Sequence, residues 1–159
     1  RYVEAHPDSP DASLALAEFH LRSGDLTAAH RAFQLPLKLL PDNPQLLNNY
    51  ANLLFAMNDP DAVNVARRAY ERAPTSAAVS DTLGWLLVNA GNTEEGLPLL
   101  RDARTRDSGN PEIQYHLAVA LDKLGRRAEA KSELEALLGR EGDFEQREAA
   151  ERLLQRLNG

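Results

Sequence analysis

Between Ala77 and Asn110 the chain carries two runs in which apolar positions return with helical spacing, one on each side of a break at Gly91-Asn92. Residues three and four apart share a helix face, so each run predicts an amphipathic helix. Neither helix can bury its apolar stripe alone, and folding back on each other makes them a hairpin. The pattern recurs along the chain. The break falls at Gly24, Asn58, Gly91 and Gly125, spaced 34, 33 and 34 apart, and small residues stand at Ala17, Ala51, Gly84 and Ala118 with the same spacing. Pro7, Pro41, Pro74 and, by position, Ser108 close the units. A fixed period of this length on a helix–turn–helix unit predicts a stack of hairpins.

This register divides one domain, 1–159, into the tail of an earlier repeat (1–9), four repeats (10–43, 44–76, 77–110, 111–143) and a capping helix (144–159). Arg1 to His6 are expected to form a short helical stub, and the chain reads as a piece of a longer repeat protein. Ser9-Pro10, Asn43-Pro44 and Asn110-Pro111 each pair a capping side chain with a proline suited to the first helical position, and Ser76 caps without one. In the first repeat, helices run near Pro10–Ser23 and Leu26–Leu39, with Leu16, Phe19 and His20 turned toward the hairpin partner. Pro36 falls inside the second of these helices, predicting a kink near Ala32 to Pro36, tolerated on the outer side. Leu46, Leu47, Tyr50, Leu53 and Leu54 face inward in the second repeat. Gly96 stands where the first and fourth repeats have Ala29 and Ala130, at the closest helix contact. Ala150, Leu153, Leu154 and Leu157 make an apolar stripe on the last helix, whose other side is charged; capping is its first reading and binding a partner its second.

Composition narrows the function. With 43% hydrophobic and 26% charged residues the composition is not that of a disordered chain, and no apolar run approaches the roughly 18–20 residues a membrane-spanning helix needs. A net charge of −6 with scattered basic residues disfavours nucleic acid, which needs a basic face. The absence of cysteine removes disulfides, thiol catalysis and cysteine metal sites. No Gly-rich phosphate loop, His-Glu-x-x-His or nucleophile elbow occurs, so no catalytic residues, cofactor or enzyme activity are expected. His6, His20, His30 and His116 sit in different segments, so no metal site is expected. His116 with Asp122, or Asp81 with Glu112, could meet only as surface pairs.

The repeat columns resemble those of the tetratricopeptide repeat family: Leu83-Gly84, Leu87 and Gly91 in the third repeat, and Leu117-Ala118, Leu121, Gly125 and Ala130 in the fourth. Ser13, Ser80 and Gln114 depart from it, standing where the family often has a large aromatic residue. The resemblance implies an all-α, right-handed superhelix of antiparallel hairpins, with the first helices lining a concave groove that holds a peptide or a partner helix. A narrower likeness, over Asp81–Val88, Gly96–Leu100 and Pro111–Leu121, is to the repeats of bacterial lipoproteins that accompany the PEP-CTERM/exosortase sorting and exopolysaccharide system. It implies a periplasmic or membrane-anchored parent protein; without it, a cytoplasmic one.

On the family register the groove receives Asn48, Asn49 and Asn52 from the second repeat, Asp81, Trp85 and Asn89 from the third, and Tyr115 and His116 from the fourth. Amides can both donate to and accept from a peptide backbone, and Trp85 has the profile of an interface hot spot. Trp85 packing between neighbouring hairpins is the alternative. The basic clamp by which one family variant grips carboxylate tails is missing, since the matching places hold Leu14, Glu18, Asp81 and Trp85. The expected function is a scaffold binding a protein or peptide segment, with no membrane insertion by this piece. A self-assembling homo-oligomeric scaffold, stacked end to end, is the second functional class.

Overall fold

Side-chain caps start most of the helices. In the computed structural model, which describes residues 9–140 and 142–159, Ser9 Oγ accepts the Ala12 N–H at 3.0 Å, Asn43 Oδ1 that of Leu46 at 2.9 Å and Ser76 Oγ that of Val79 at 3.4 Å. Asn110 Oδ1 accepts from both Glu112 and Ile113. Asp25 adds a cap that the sequence pattern does not single out, accepting from Ala28 at 2.9 Å. Each cap satisfies an N–H that the helix leaves open, worth about 1 kcal/mol.

The chain divides into two compact units, Arg1–Pro74 and Thr75–Gly159. The first holds α1 (Pro10–Ser23), α2 (Leu26–Leu39), α3 (Pro44–Ala56) and α4 (Ala62–Arg72). The second holds α5 (Ala77–Asn89), α6 (Thr93–Arg106), α7 (Pro111–Lys123), α8 (Arg127–Leu138) and α9 (Arg147–Asn158). Consecutive helices pair as hairpins, α2 packs on α3, α6 on α7, and α9 on α8. There is no strand among the described residues, and none of their helices is long and apolar enough to cross a membrane. The stub expected at Arg1 to His6 lies outside the described residues.

The four break residues share one conformation. Gly24, Asn58, Gly91 and Gly125 have φ of 77°, 56°, 88° and 71°. After each, the next N–H reaches back to a helix carbonyl: Asp25 to His20, Asp59 to Leu54, Asn92 to Leu87 and Arg126 to Leu121. This left-handed stop closes the first helix of a hairpin and turns the chain for the second. No atom lies within 4 Å of where a Cβ would stand on Gly91, so the demand there is purely one of backbone. Gly91→Ala is expected to lower stability by about 1 kcal/mol in urea denaturation. Asn58→Gly is expected to leave it unchanged or raise it; the opposite order would refute this reading of the turn.

Small residues sit where the hairpin helices cross. Ala17, Ala51 and Ala118 are fully buried, as are Ala29 and Ala130 on the second helices. The α5–α6 crossing is tighter still. A Cβ on Gly96 would lie 2.6 Å from the Gly84 carbonyl oxygen, and one on Gly84 would lie 2.8 Å from Leu100 Cγ.

This column also corrects two expectations. Ala17 faces the α1–α2 crossing and so fixes the rotation of α1. At about 100° per residue, Leu16 and Phe19 then turn away, and they are 38% and 58% exposed; Leu14 and Leu21 take the apolar side instead. Pro36 does not sit on an outer side either. It follows Ala29 and Phe33 along the buried stripe of α2, and the helix runs through it. The ring forfeits one backbone bond but fills an apolar position.

The links between hairpins are held from the following repeat. In the first unit, the Arg68 guanidinium of α4 donates to the Pro41 carbonyl at 2.9 Å and Arg72 pairs with Asp42 at 3.0 Å. In the second, Arg140 beyond α8 donates to the carbonyls of Gly109 (2.9 Å) and Ser108 (3.0 Å). Two of the departures from the family pattern are absorbed by the second helices. Fully buried Gln114 donates to the Glu133 carboxylate (2.9 Å) and carbonyl (3.0 Å), and Ser80 Oγ lies 3.5 Å from Asp102.

Candidate partner-binding site

The Ser76 cap sets the start of α5, and from there Asp81, Trp85 and Asn89 fall at i, i+4 and i+8 on one stripe. The Asn110 cap does the same for α7, whose Tyr115, His116, Val119 and Lys123 face that stripe from the next hairpin. The two stripes are fastened at both ends. Both oxygens of Asp81 lie 3.0 Å from His116 Nδ1, and the side chains are only 11% and 7% exposed. An ionised carboxylate can only accept, so this bond assigns the proton to Nδ1. At the other end Lys123 Nζ donates to the Val88 carbonyl at 3.0 Å, placing a cation at the negative end of α5.

Between these anchors the Trp85 indole stacks on the His116 ring, with centroids 4.1 Å apart and planes 10° from parallel. Tyr115 is tilted against both, at 6.4 Å from Trp85 and 6.2 Å from His116. Trp85 is half-buried, so it packs between hairpins and still presents part of a large aromatic surface. Asn89 is turned back on its own helix, donating to the Trp85 carbonyl at 2.8 Å. His116 meets neither Asp122 nor a surface acid; its partner is Asp81, 35 residues away.

The three asparagines belong to the other unit. Asn48 is 5% exposed, and its Oδ1 has no partner among the described residues. Asn49 accepts from Gln45 at 3.1 Å, and Asn52 is exposed. Beside them the Tyr50 hydroxyl lies 3.3 Å from His30 Nδ1. Burial, chiefly, raises the Tyr50 phenol above its ordinary value of 10.0. The eight residues read from the sequence thus form two groups, Asn48, Asn49 and Asn52 in one unit and Asp81, Trp85, Asn89, Tyr115 and His116 in the other.

One wall comes from the last helix, for which binding a partner is the second reading of the sequence. Helix α9, expected as a cap, also borders a hollow of ≈ 750 Å³ with α7, supplying Ala149, Arg152, Leu153 and Arg156. The i, i+4 pair of arginines beside Ala149 and Leu153 is the signal that could have found it. Among the described residues no three His, Asp or Glu side chains gather as metal ligands.

Hairpins that repeat every 33 or 34 residues, stop on a left-handed residue and cross through small side chains define a helical-hairpin repeat protein. Solved structures share this fold. A thermophilic tetratricopeptide repeat protein of Thermus thermophilus matches with a TM-score of 0.81 at 19% identity, over 96% of this chain and 85% of that one. A chain of the APC/C hetero-tetramer Cut9–Hcn1 matches with a TM-score of 0.84 at 18% identity, over 96% of this chain and 30% of that one. YrrB, described as a tetratricopeptide repeat protein with an unusual peptide-binding site, matches at 0.72 and 18%, over 98% and 77%. No curated protein matches the chain. Two family models, both of the tetratricopeptide repeat, match residues 1–44 and 87–157. The chain belongs to the tetratricopeptide repeat family, whose fold serves as a protein–protein interaction scaffold.

Proposed function

We propose that this chain is a non-enzymatic scaffold that holds a peptide segment or helix of a partner protein on the first helices of its hairpins, with the α5–α7 face as a principal contact. The observation that carries this is the aromatic surface of Trp85 and Tyr115, braced from behind by the buried Asp81–His116 pair. A rigid, partly exposed indole can bury much apolar area at little cost in conformational entropy, which is how hot spots work. Asn49 and Asn52 of α3 are the contacts proposed in the first unit. Peptides selected from a random library for binding to the chain provide the test. Trp85→Ala, checked for folding by its thermal melt, is expected to weaken such binders about tenfold. Unchanged affinity in a folded variant would remove Trp85 from the contact.

The likeness to exosortase-system lipoprotein repeats supports an export setting. Recovery of the protein solely from the cytosolic fraction would remove this part. Self-association is the second reading, favoured by exposed Leu16, Phe19, Leu39 and Leu40 in the first unit. Light scattering that returns a monomer mass at every concentration would exclude it.

A further inference from the structure

We infer that the hollow between α7 and α9 selects the chemistry of the bound segment: an acidic stretch carrying one apolar side chain. This rests on the partner-binding reading above and adds a second, adjoining contact to it through Tyr115.

The floor is apolar. Leu153 is 8% exposed, Tyr115 and Val119 are half-buried against the same cluster, and Ala149 leaves room above them. At ≈ 750 Å³ the space exceeds one side chain and suits a short stretch of peptide.

The rim is basic. The charged side chains lining it are Lys123, Arg152, Arg156 and Asp122, three positive and one negative, hence a local net charge of +2 in a chain whose total is −6. Asp122 is already neutralised by its ion pair with Arg156 and is the less exposed of the two. Lys123 is held by the Val88 carbonyl, which satisfies one hydrogen bond, and the partial negative charge at the end of α5 offsets its full charge only in part. Arg152 reaches Glu148 at 3.4 Å, but those side chains are 69% and 86% exposed, and such a surface pair is worth little and exchanges readily. Two cations are therefore available over an apolar floor. Carboxylates flanking a leucine or phenylalanine complement both features, whereas a flanking lysine would meet Lys123 and Arg152. Two charges are too few for a phosphate backbone, whose binding rests on many neutralised phosphates.

The test uses the 159-residue chain, labelled with ¹⁵N and titrated with three blocked pentapeptides: leucine between glutamate pairs, glycine between glutamate pairs, and leucine between lysine pairs. The first is expected to give saturable shifts at Val119, Ala149 and Leu153, with the other two at least about fivefold weaker. Arg152→Gln, an exposed position whose loss leaves the fold intact, is expected to weaken the first peptide about threefold, and Lys123→Gln with Arg152→Gln about tenfold. Equal affinity for the lysine peptide, equal affinity for the glycine peptide, or no saturable shift with any of the three overturns the inference. Shifts confined to the neighbourhood of Asp81 and Trp85 also overturn it, while leaving the partner-binding reading in place. Stronger saturation by an oligothymidylate would reassign the hollow to nucleic acid and overturn it as well.

Discussion

Gly96→Ala is expected to destabilise the protein by about 2 kcal/mol, although alanine is the better helix former. Two effects oppose each other. In a helix interior, alanine is favoured over glycine by about 1 kcal/mol. Against this, the new methyl would stand 2.6 Å from the Gly84 carbonyl oxygen, 3.0 Å from Val88 Cγ2 and 3.3 Å from Leu87 Cβ. The first of these is backbone and cannot rotate away. The α5–α6 pair must move apart, and overpacking of this kind costs about 1–3 kcal/mol or more. The steric term wins because its partner is rigid. Ala130, at the matching place in the α7–α8 hairpin, is fully buried without such a conflict, so Ala130→Gly is expected to lose stability through propensity and a small void. Urea denaturation of both variants checks the pair. A Gly96→Ala protein as stable as the parent would mean that the two backbones do not approach this closely.

The second large effect is expected at Asp81. Asp81→Ala strips the acceptor from a histidine N–H that is buried together with it, and an orphaned polar group of this kind costs about 2–3 kcal/mol. Asp81→Asn keeps one acceptor oxygen in place and is expected to cost less than about 1 kcal/mol. Combining Asp81→Ala with His116→Ala should give clearly less than the sum of the single losses, because the second change removes the group the first had stranded. Strict additivity in such a cycle would show that the pair contributes nothing as a pair. The same experiment bears on function, since His116 is the plate on which Trp85 rests.

What the sequence discloses and what it withholds follow from the range of the forces involved. The turn at Gly91 and the caps at Asn43 and Asn110 are legible because their hydrogen bonds span only a few residues. The crossing residues are legible because Ala17, Ala51, Gly84 and Ala118 return at a constant interval. Rotation of a single helix is harder. The apolar side chains of α1 do not all lie on one face, so Leu16 and Phe19 compete with Leu14 and Leu21, and only the packing of Ala17 decides between them. Pro36 is easily misplaced because its missing N–H suggests an outer position, while its ring is as apolar as the neighbours it lies among. At the candidate site the stripe positions are readable from the repeat register, but pairing across helices is not. His116 chooses an acid on another hairpin over one six residues ahead on its own helix, a choice made by distances between hairpins. The charged side of α9 reads from sequence first as the outer face of a cap and only second as a surface for a partner. That Arg152 and Arg156 also wall a hollow depends on where α7 ends.

The arginines that reach back to Pro41, Asp42, Ser108 and Gly109 bear on how each unit comes apart. A hairpin whose connecting segment is clasped by the next one cannot fray independently, because losing α8 also frees the strap ahead of α7. Within either unit, melting should therefore spread from neighbour to neighbour as a zipper does, with little population of half-open forms.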